Sequence, residues 1–414
     1  MSRRRSFLFL QGLATFFFVR LGDALAARGH AVQRINFNPG DRLFWPRPGT
    51  LDFTGRADEW PGFLAAAIAR HGVTDLVMFS DCRPPHEAAV SLAARQGLRA
   101  WVFEEAYLRP GYITLELGGV NARSPLPRDP GWIRRAAQGL PPAAPETSSG
   151  GSFLRRASDD VRYNIANLLG RRRFPHWQTH RAWNPFHEYA GWLARGALRP
   201  LRRARAERRL ATLATWPGPV FVVPMQLEGD YQVRVHSPFA SVAEALELIV
   251  ASFARHAPRD ALLGLKGHPL DNGLHDWAGL IRRLGTQHGA ADRLLYLPEL
   301  AYGQVLAPAS GVVTINSTAG MQSLREGKPV IALGQALYDI PGLTYQGGLD
   351  AFWTDPTPPD PALVDALRRV LAAHCLIRGG FFAEAHIQEA VRNATARLEA
   401  AITAASAPAL AAGG

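Results

Sequence analysis

The chain has 414 residues, is 47% hydrophobic and 20% charged, and carries a formal net charge of +11. That is an ordinary globular composition, too long for one core and long enough for two domains. Cys82 and Cys375 are the only cysteines, which excludes a disulfide framework and a multi-cysteine zinc site and fits a reducing compartment.

The first thirty residues imitate a secretory signal: Arg3 to Arg5, an apolar run over 7–19, then small residues at 24–27. Gln11, Gly12 and Thr15 interrupt that run, and Arg20, Asp23 and Gly29 follow as in a helix with its C-cap. The better reading is a strand at 7–11, a helix at 15–28 and a second strand at 31–37. A helix over 61–70, a strand at 75–80, a helix at 84–96 and a strand at 99–104 come next. Strands alternating with helices predict a parallel, doubly wound sheet. Glu104 and Glu105 end the last of these strands. The stretch 106–124, with Arg109, Tyr112, Thr114, Glu116 and Asn121, reads as a polar, glycine-bearing loop. Binding of an acceptor and a structural Arg–Glu pair are equally open for it.

Residues 141–152 form a low-complexity linker (PPAAPETSSGGS). The basic segment 153–212 follows. Between Gly151 and Leu210 stand fourteen arginines against four acids, nearly the whole excess charge of the chain. Trp177, Trp183, Phe186, Tyr189 and Trp192 are interleaved with them. A helical segment of this kind predicts a polyanionic partner. No nucleic-acid-binding motif accompanies the charge, so an anionic membrane surface is preferred over nucleic acid. His176, His180 and His187 lack the cysteine or carboxylate that would complete a metal set, so no metal is expected.

A second alternating series starts at Val220, where an apolar, β-branched run ends in Gln226, Glu228, Asp230, Gln232, Arg234 and His236. Ser241 and Glu244 form a capping box for a helix reaching His256. A strand at 261–265 leads to Lys266, Gly267, His268 and Pro269. A helix near 277–288 and strands at 294–297 and 311–315 follow, then a helix at 319–326, a strand at 329–333, and helices from 361 onward. The alanine-rich tail after Ala401 is expected to be loose. In open α/β sheets, ligands sit at the carboxyl ends of the strands. This places Asp230, Lys266 with His268, and the Asn316, Ser317, Thr318 turn where chemistry is done. A turn opening a helix offers amides to a phosphate; an ordinary N-cap and a structural histidine are the plain alternatives. The chain lacks G-x-x-x-x-G-K-[ST], G-x-S-x-G and any Asp-x-Asp pair.

These stretches together resemble the capsule polysaccharide β-Kdo transferases of the KpsS/LipB type, over most of the chain. The resemblance rests on Leu10-Gln11-Gly12 with Phe16-Phe17, INFNPGD (35–41), TDLVMFSDCRPPH (74–86) and FEEAYLRPGYITLELGGVN (103–121). It continues through Gln226 and Asp230, His268-Pro269, INSTAG (315–320) and GKPVIALGQALYDIPGLT (327–344). Ser80 stands where a glycine is common. The resemblance implies two doubly wound Rossmann-like domains facing a cleft, a GT-B-like arrangement. Their expected bounds are 1–140 on the acceptor side and 213–360 for the CMP-sugar, with C-terminal helices and tail at 361–414. It implies a retaining transfer of β-Kdo from CMP-Kdo to a (lyso)phosphatidylglycerol, starting a poly-Kdo capsule linker. Asp230 and His268 would be catalytic. Gln226, Lys266, Asn316, Ser317, Thr318, Glu105, Arg109, Glu116 and Asn121 would bind substrate. No metal or cofactor beyond the donor is implied, since protein groups can stabilise a departing monophosphate. Other capsule assembly proteins are further partners. The expected place is the cytoplasmic face of the inner membrane, held peripherally, since no stretch approaches the ~20 apolar residues of a span. A GT-B transferase using another nucleotide sugar is the alternative, as is a non-catalytic capsule export or assembly factor.

Overall fold

The computed structural model describes residues 4–145, 153–179, 184–197 and 199–406. His180, Trp183, the end of the linker (146–152) and the tail beyond 406 lie outside the described residues. In chain order the elements are β1 (Ser6–Phe9), α1 (Phe17–Ala26), β2 (Ala31–Asn36), α2 (Pro39–Leu43), β3 (Leu51–Asp52), α3 (Trp60–His71), β4 (Asp75–Phe79), α4 (Pro84–Gln96), β5 (Arg99–Glu105) and β6 (Tyr112–Leu117). Then come α5 (Pro130–Ala136), α6 (Phe153–Gly170), α7 (Pro185–Ala197), α8 (Arg199–Ala214), β7 (Val220–Pro224), α9 (Tyr231–His236), α10 (Val242–His256), β8 (Leu262–Lys266) and α11 (Trp277–His288). The chain continues with β9 (Leu294–Leu297), α12 (Tyr302–Leu306), β10 (Gly311–Thr314), α13 (Ala319–Arg325), β11 (Val330–Ala332), α14 (Leu349–Phe352), α15 (Pro361–Val370), β12 (Leu376–Arg378) and α16 (Glu384–Ser406).

The chain divides into two units. Unit 1 takes residues 1–125, 143–179 and 370–414, and unit 2 takes 126–142 and 180–369. In unit 1 the sheet runs β12-β6-β5-β4-β1-β2-β3. The five strands from β3 to β5 are parallel and follow the doubly wound 3-2-1-4-5 order. Alternate residues of β1 serve opposite layers. Phe7 and Phe9 pack with Phe17, Phe103 and Phe381 on one face, and Leu8 and Leu10 with Ile35, Trp60 and Met78 on the other. That is why the strand reads as an unbroken apolar run. In unit 2 the order is β11-β10-β7-β8-β9, all parallel. Taking β7 as the first strand, this is again 3-2-1-4-5. The core there gathers Phe221, Val223, Ile249, Phe253, Leu265 and Trp353, with the Phe221 and Trp353 rings 4.9 Å apart edge to face. Ser241 caps α10 as its sequence indicates, accepting from the Glu244 amide at 3.1 Å.

Three expectations are corrected. The stretch 106–124 is not all loop: β6 runs antiparallel to β5 with Glu105 opposite Ile113, and β12 runs antiparallel to β6. Its Tyr-Ile-Thr-Leu run carries the β-branched and aromatic residues a strand favours. The segment 153–212 does not stand alone, since α6 belongs to unit 1 while α7 and α8 belong to unit 2. The C-terminal helices are no appendage. α15 is part of unit 2, whereas β12 and α16 complete unit 1, with Ile387, Ala390, Ala394, Leu398 and Ile402 in the Phe-rich core. No described helix is long and apolar enough to cross a membrane.

Asp75, fully buried at the start of β4, ties the sheet's amino edge together. Its carboxylate accepts from Arg5 Nε at 2.8 Å, Arg99 Nε at 2.7 Å and Trp101 Nε1 at 2.9 Å. Burial pushes its pKa up, but hydrogen bonds from Thr74, Arg99, Trp101 and Arg5 outweigh burial and hold it below the ordinary value. The folded chain then binds fewer protons here than the unfolded one. The contribution is complete above the unfolded pKa of about 4 and is lost as the pH falls through the folded value. Asp75→Ala is expected to lower unfolding free energy by about 3 kcal/mol at pH 7, and by less as the pH is lowered below 4. Urea titrations at both pH values check it.

Candidate functional site

The carboxyl edge of the unit 2 sheet collects seven of the expected residues on three adjacent strand ends, β10-β7-β8. The strand order reverses between β7 and β10, which is the switch point where such sheets bind ligands. Gln226 follows β7 and Asn316 follows β10, and the two side chains close this gap. Gln226 Nε2 donates to Asn316 Oδ1 at 3.0 Å, and Gln226 Oε1 accepts from the Asn316 amide at 3.3 Å. Asn316 Nδ2 in turn donates to Gln232 O at 2.8 Å and His236 O at 3.3 Å, drawing α9 under the edge. Gln226 is buried and Asn316 half-buried.

Asp230 is the N-cap of α9, and its Oδ1 accepts from the Gln232 amide at 2.9 Å. Its Oδ2 accepts from Gln226 Nε2 at 3.2 Å. Both oxygens are therefore oriented, one by a helix start and one by the switch-point amide, while the residue stays half-exposed. Lys266 ends β8 opposite Pro224 of β7. Its ammonium is buried, donates to Gly267 O, and is pulled down to about 8 by burial, with Glu299 opposing and Arg195 assisting. Burial penalises the charged form, and an anion placed here would restore it. His268 Nδ1 accepts from the Leu270 amide at 3.0 Å. That bond assigns the ring proton to Nε2 and leaves Nε2 as a donor.

The turn after β10 differs from an empty anion cradle. The amides of Ser317, Ala319 and Gly320 donate to Thr314 Oγ1, Ser317 Oγ and Ser317 O at 3.2, 3.2 and 3.0 Å. Thr318 is the N-cap of α13, and its side chain caps nothing. What the turn can offer a phosphate is hydroxyl protons from Ser317 and Thr318 rather than a ring of amides. Gly320 permits this tight geometry, since a Cβ there would lie 2.3 Å from the Tyr338 hydroxyl, which donates to Ser317 O.

The remaining expected residues lie in unit 1 and are mostly engaged by the fold. Glu105 is ion-paired with Arg109 at 2.7 Å and Arg156 at 3.2 Å. Glu116 is buried, accepts from the Tyr107 hydroxyl at 2.8 Å and from Ser124 Oγ, and is pushed up by burial. The Asn121 amide donates to the Tyr107 hydroxyl at 2.6 Å, with Asn121 in the left-handed region at φ 55°. Glu116 and the Asn121 backbone thus hold the β6 turn in place.

The sequence reading left other residues of unit 1 unassigned. Its switch point lies between β1 and β4, and there Arg83 Nη1 donates to Gln11 Oε1 at 2.9 Å and Gly12 O at 3.3 Å. Gln11 Nε2 donates to Tyr163 Oη at 3.2 Å and lies 3.3 Å from Asp41 Oδ2. Ser80 holds φ 62°, the left-handed conformation that makes a glycine common at this position. His86, fully buried, pins that turn by donating from Nδ1 to Ser80 O at 2.8 Å, and burial lowers it to about 3. Glu104, at the end of β5, is raised to about 7 by burial, opposed by the hydrogen bond from the Glu105 backbone and by Arg83 and Arg109, while the Glu105 charge adds to the rise. A carboxyl titrating near neutrality is suited to general-base work. The signal for Gln11 and Arg83 was their position just past the first and fourth strands.

The family model described as capsule polysaccharide biosynthesis protein matches residues 74–382. The chain is 38% identical over 385 residues to the capsule polysaccharide modification protein LipB of Neisseria meningitidis, covering 91% of each. It is 33% identical over 379 residues to the capsule polysaccharide export protein KpsS of Escherichia coli, covering 91% of this chain and 97% of that one. Among solved structures, the β-Kdo 2,7 transferase KpsC of Thermosulfurimonas dismutans superposes with a TM-score of 0.43 at 14% identity, covering 95% of this chain and all of that one.

Asn316→Ala is expected to leave one Gln226 Nε2 proton and the Gln232 and His236 carbonyls without their partner, and to destabilise unit 2 by about 1–3 kcal/mol. Thermal unfolding with Asn316→Asp as the size-matched control checks it.

Proposed function

The chain belongs to the capsule polysaccharide biosynthesis protein family, and from that premise we propose that it is a glycosyltransferase moving β-Kdo from CMP-Kdo to a (lyso)phosphatidylglycerol acceptor. The observation that supports this reading best is the oriented carboxylate of Asp230 at the unit 2 switch point, beside strand ends bearing Lys266, His268, Ser317 and Thr318.

In the proposed reaction an Asp230 oxygen forms a bond to the anomeric carbon as the bond from that carbon to the phosphate oxygen breaks. CMP leaves with the bonding electron pair. The acceptor hydroxyl then attacks the same carbon from the opposite face, loses its proton to a base, and returns the Asp230 carboxylate. Two inversions give net retention. Kdo passes through an oxocarbenium-like state, so a carboxylate on one side and stabilised phosphate charge on the other are the main needs. Lys266 and the His268 Nε2 proton supply charge and a donor to that phosphate, and the Ser317 and Thr318 hydroxyls supply two more donors. Gln226 and Asn316 position Asp230. In this reading no metal is required. The arginine-rich segment holds the protein peripherally on the cytoplasmic face of the inner membrane, where the lipid acceptor lies.

Asp230→Ala is expected to lower turnover with CMP-Kdo and a fluorescent lysophosphatidylglycerol by at least about a thousandfold, with CMP affinity nearly unchanged. Retention of more than a tenth of wild-type turnover would falsify the nucleophile assignment. UDP-sugars offered in the same assay separate this reading from another nucleotide-sugar transferase.

Lys266 gives a pH test. With its pKa lowered to about 8, the charged form is lost as the pH rises from 7 to 9, so CMP affinity is expected to fall over that window. Lys266→Met is expected to bind CMP more weakly and without that pH dependence. Folding has the opposite sign, because the unfolded lysine holds its proton to higher pH, so wild-type stability gains between about pH 8 and 10. Calorimetric titration with CMP at three pH values checks the affinity.

A further inference from the structure

The helix α6 is packed with its polar side inward. Asp159, Asn164 and Asn167 are buried. Asn167 Oδ1 accepts from the Gly40 amide at 2.7 Å, and the Tyr163 hydroxyl accepts from Asn38 Nδ2 at 2.7 Å and Gln11 Nε2 at 3.2 Å. A Cβ on Gly40 would lie 2.4 Å from the Tyr163 ring, so helix and loop meet at backbone distance. The outward side is apolar. Leu154 is 76% exposed, Ile165 43%, Leu168 48% and Leu169 79%. At 3.6 residues per turn these four fall within an arc of about 100°. The hydrophobic effect normally arranges a helix on a soluble unit the other way round. An exposed apolar stripe of this kind, densest at Ile165, Leu168 and Leu169, marks an interaction surface.

Charge identifies what covers it. Arg155 and Arg162 border the stripe along one side, and Arg171, Arg172 and Arg173 follow at its carboxyl end, all of them exposed. Arg173 pairs with Asp52 at 2.8 Å, while Arg171 and Arg172 make no ion pair among the described residues. The only acids between Leu154 and Thr179 are Asp159, which faces inward onto Arg155 and Arg162, and Asp160, which is half-buried and hydrogen-bonded by Asn164. No carboxylate is exposed over that span. Arg156 on the flank of α6 pairs with Glu105. The arginines of α7 and α8 differ in standing among acids, with Arg203 paired to the exposed Glu207, Arg195 and Arg202 to Glu299, and Arg209 donating to Tyr296 O.

We infer that the outward stripe of α6 inserts into the surface of an anionic phospholipid bilayer, with the leucines at the acyl boundary and Arg162, Arg171 and Arg172 on the phosphates. An apolar face rimmed by cations and free of exposed acids is the pattern of an interfacial helix. The inference deepens the membrane contact proposed above, narrowing it from the whole basic segment to one helix, and does not depend on the donor sugar. It also carries a structural consequence. The Tyr163 hydroxyl shares Gln11 with Arg83, so the lipid-facing helix is hydrogen-bonded to the unit 1 switch point.

The test is co-sedimentation of the full chain with vesicles of 30% phosphatidylglycerol in phosphatidylcholine, and with phosphatidylcholine alone, at 50 and 500 mM salt. Wild type is expected to bind the anionic vesicles and to be released in large part by high salt. The double variant Leu168→Ser with Leu169→Ser, both exposed and outside the catalytic groups, is expected to keep its melting temperature and its turnover on a water-soluble acceptor. Its partitioning to anionic vesicles is expected to fall at least tenfold. Arg171→Gln with Arg172→Gln is expected to lose severalfold, and Arg205→Gln with Arg208→Gln on α8 to stay within twofold of wild type. Unchanged binding by the leucine variant overturns the inference. So does self-association of wild type in sedimentation velocity that the leucine variant abolishes, which would make the stripe a contact between copies. Vesicle binding by a protein inert toward CMP-Kdo would sink the transferase reading and leave this one standing.

Discussion

The amide pair of Gln226 and Asn316 is the constraint on which the unit 2 edge depends. Two parallel strands diverge at a switch point, and each leaves unpaired backbone groups where the next connection departs. A buried primary amide carries two donors and two acceptor lone pairs, all costly to leave unmet. Here the Gln226 Nε2 donates to Asn316 Oδ1 and its Oε1 accepts from the Asn316 backbone N–H, while the remaining protons reach Asp230 Oδ2 and the Gln232 and His236 carbonyls of the short α9. The carboxylate is thus set by groups that are themselves fully specified, on the ends of strands rather than on a mobile tip. Neither partner can be exchanged for an apolar residue without stranding the other.

Unit 1 meets the same topological problem with charge. Arg34 and Asp41 are buried within 3.7 Å of each other, and burial pushes the arginine down and the aspartate up despite their mutual attraction. Gln11, Asn38 and Tyr163 surround them with hydrogen bonds. A buried pair of this kind contributes less to net stability than to a unique arrangement, because any competing packing leaves an ion without a partner. It fixes the loop before α2 against α6 and leaves Arg83 half-buried at the mouth, with no carboxylate of its own among the described residues.

The strands and helices of both sheets were legible because their signals are local. Apolar runs such as 220–224, the Ser241 cap and the glycines after α3, α4 and α11 mark their ends without reference to anything distant. β12 was not, since this antiparallel edge strand is decided by a partner more than 250 residues away, as in the pairing of Leu376 with Thr114, and β6 was masked by the polar and glycine residues around its short Tyr-Ile-Thr-Leu run. The same distance hid the membership of α16 in unit 1. At the site, Gln226, Asp230 and Asn316 were named from their strand ends, and the structure joins them. Glu116 read as part of a polar loop because its burial depends on the pairing of β6 with β5 and on Cys375, which closes over it from far along the chain. Ser80 was visible only as a departure from glycine, and its positive φ explains why.

The interleaving of the two units sets an order on their completion during synthesis. The Phe-rich layer beneath β1 is closed by Phe381 and by the inward residues of α16, which leave the ribosome after every residue of unit 2. Unit 2 has all its strands by Ala332 and its last helix by Val370, so it can fold as soon as it emerges. Domains ordinarily fold from the amino terminus onward. Here the first strand translated waits longest, with Phe7, Phe9, Phe17 and Phe18 open on one side of a nascent sheet. A ribosome that has released residue 369 while α16 is still within its exit tunnel would hold a finished second unit and an unfinished first one, a natural client for a chaperone.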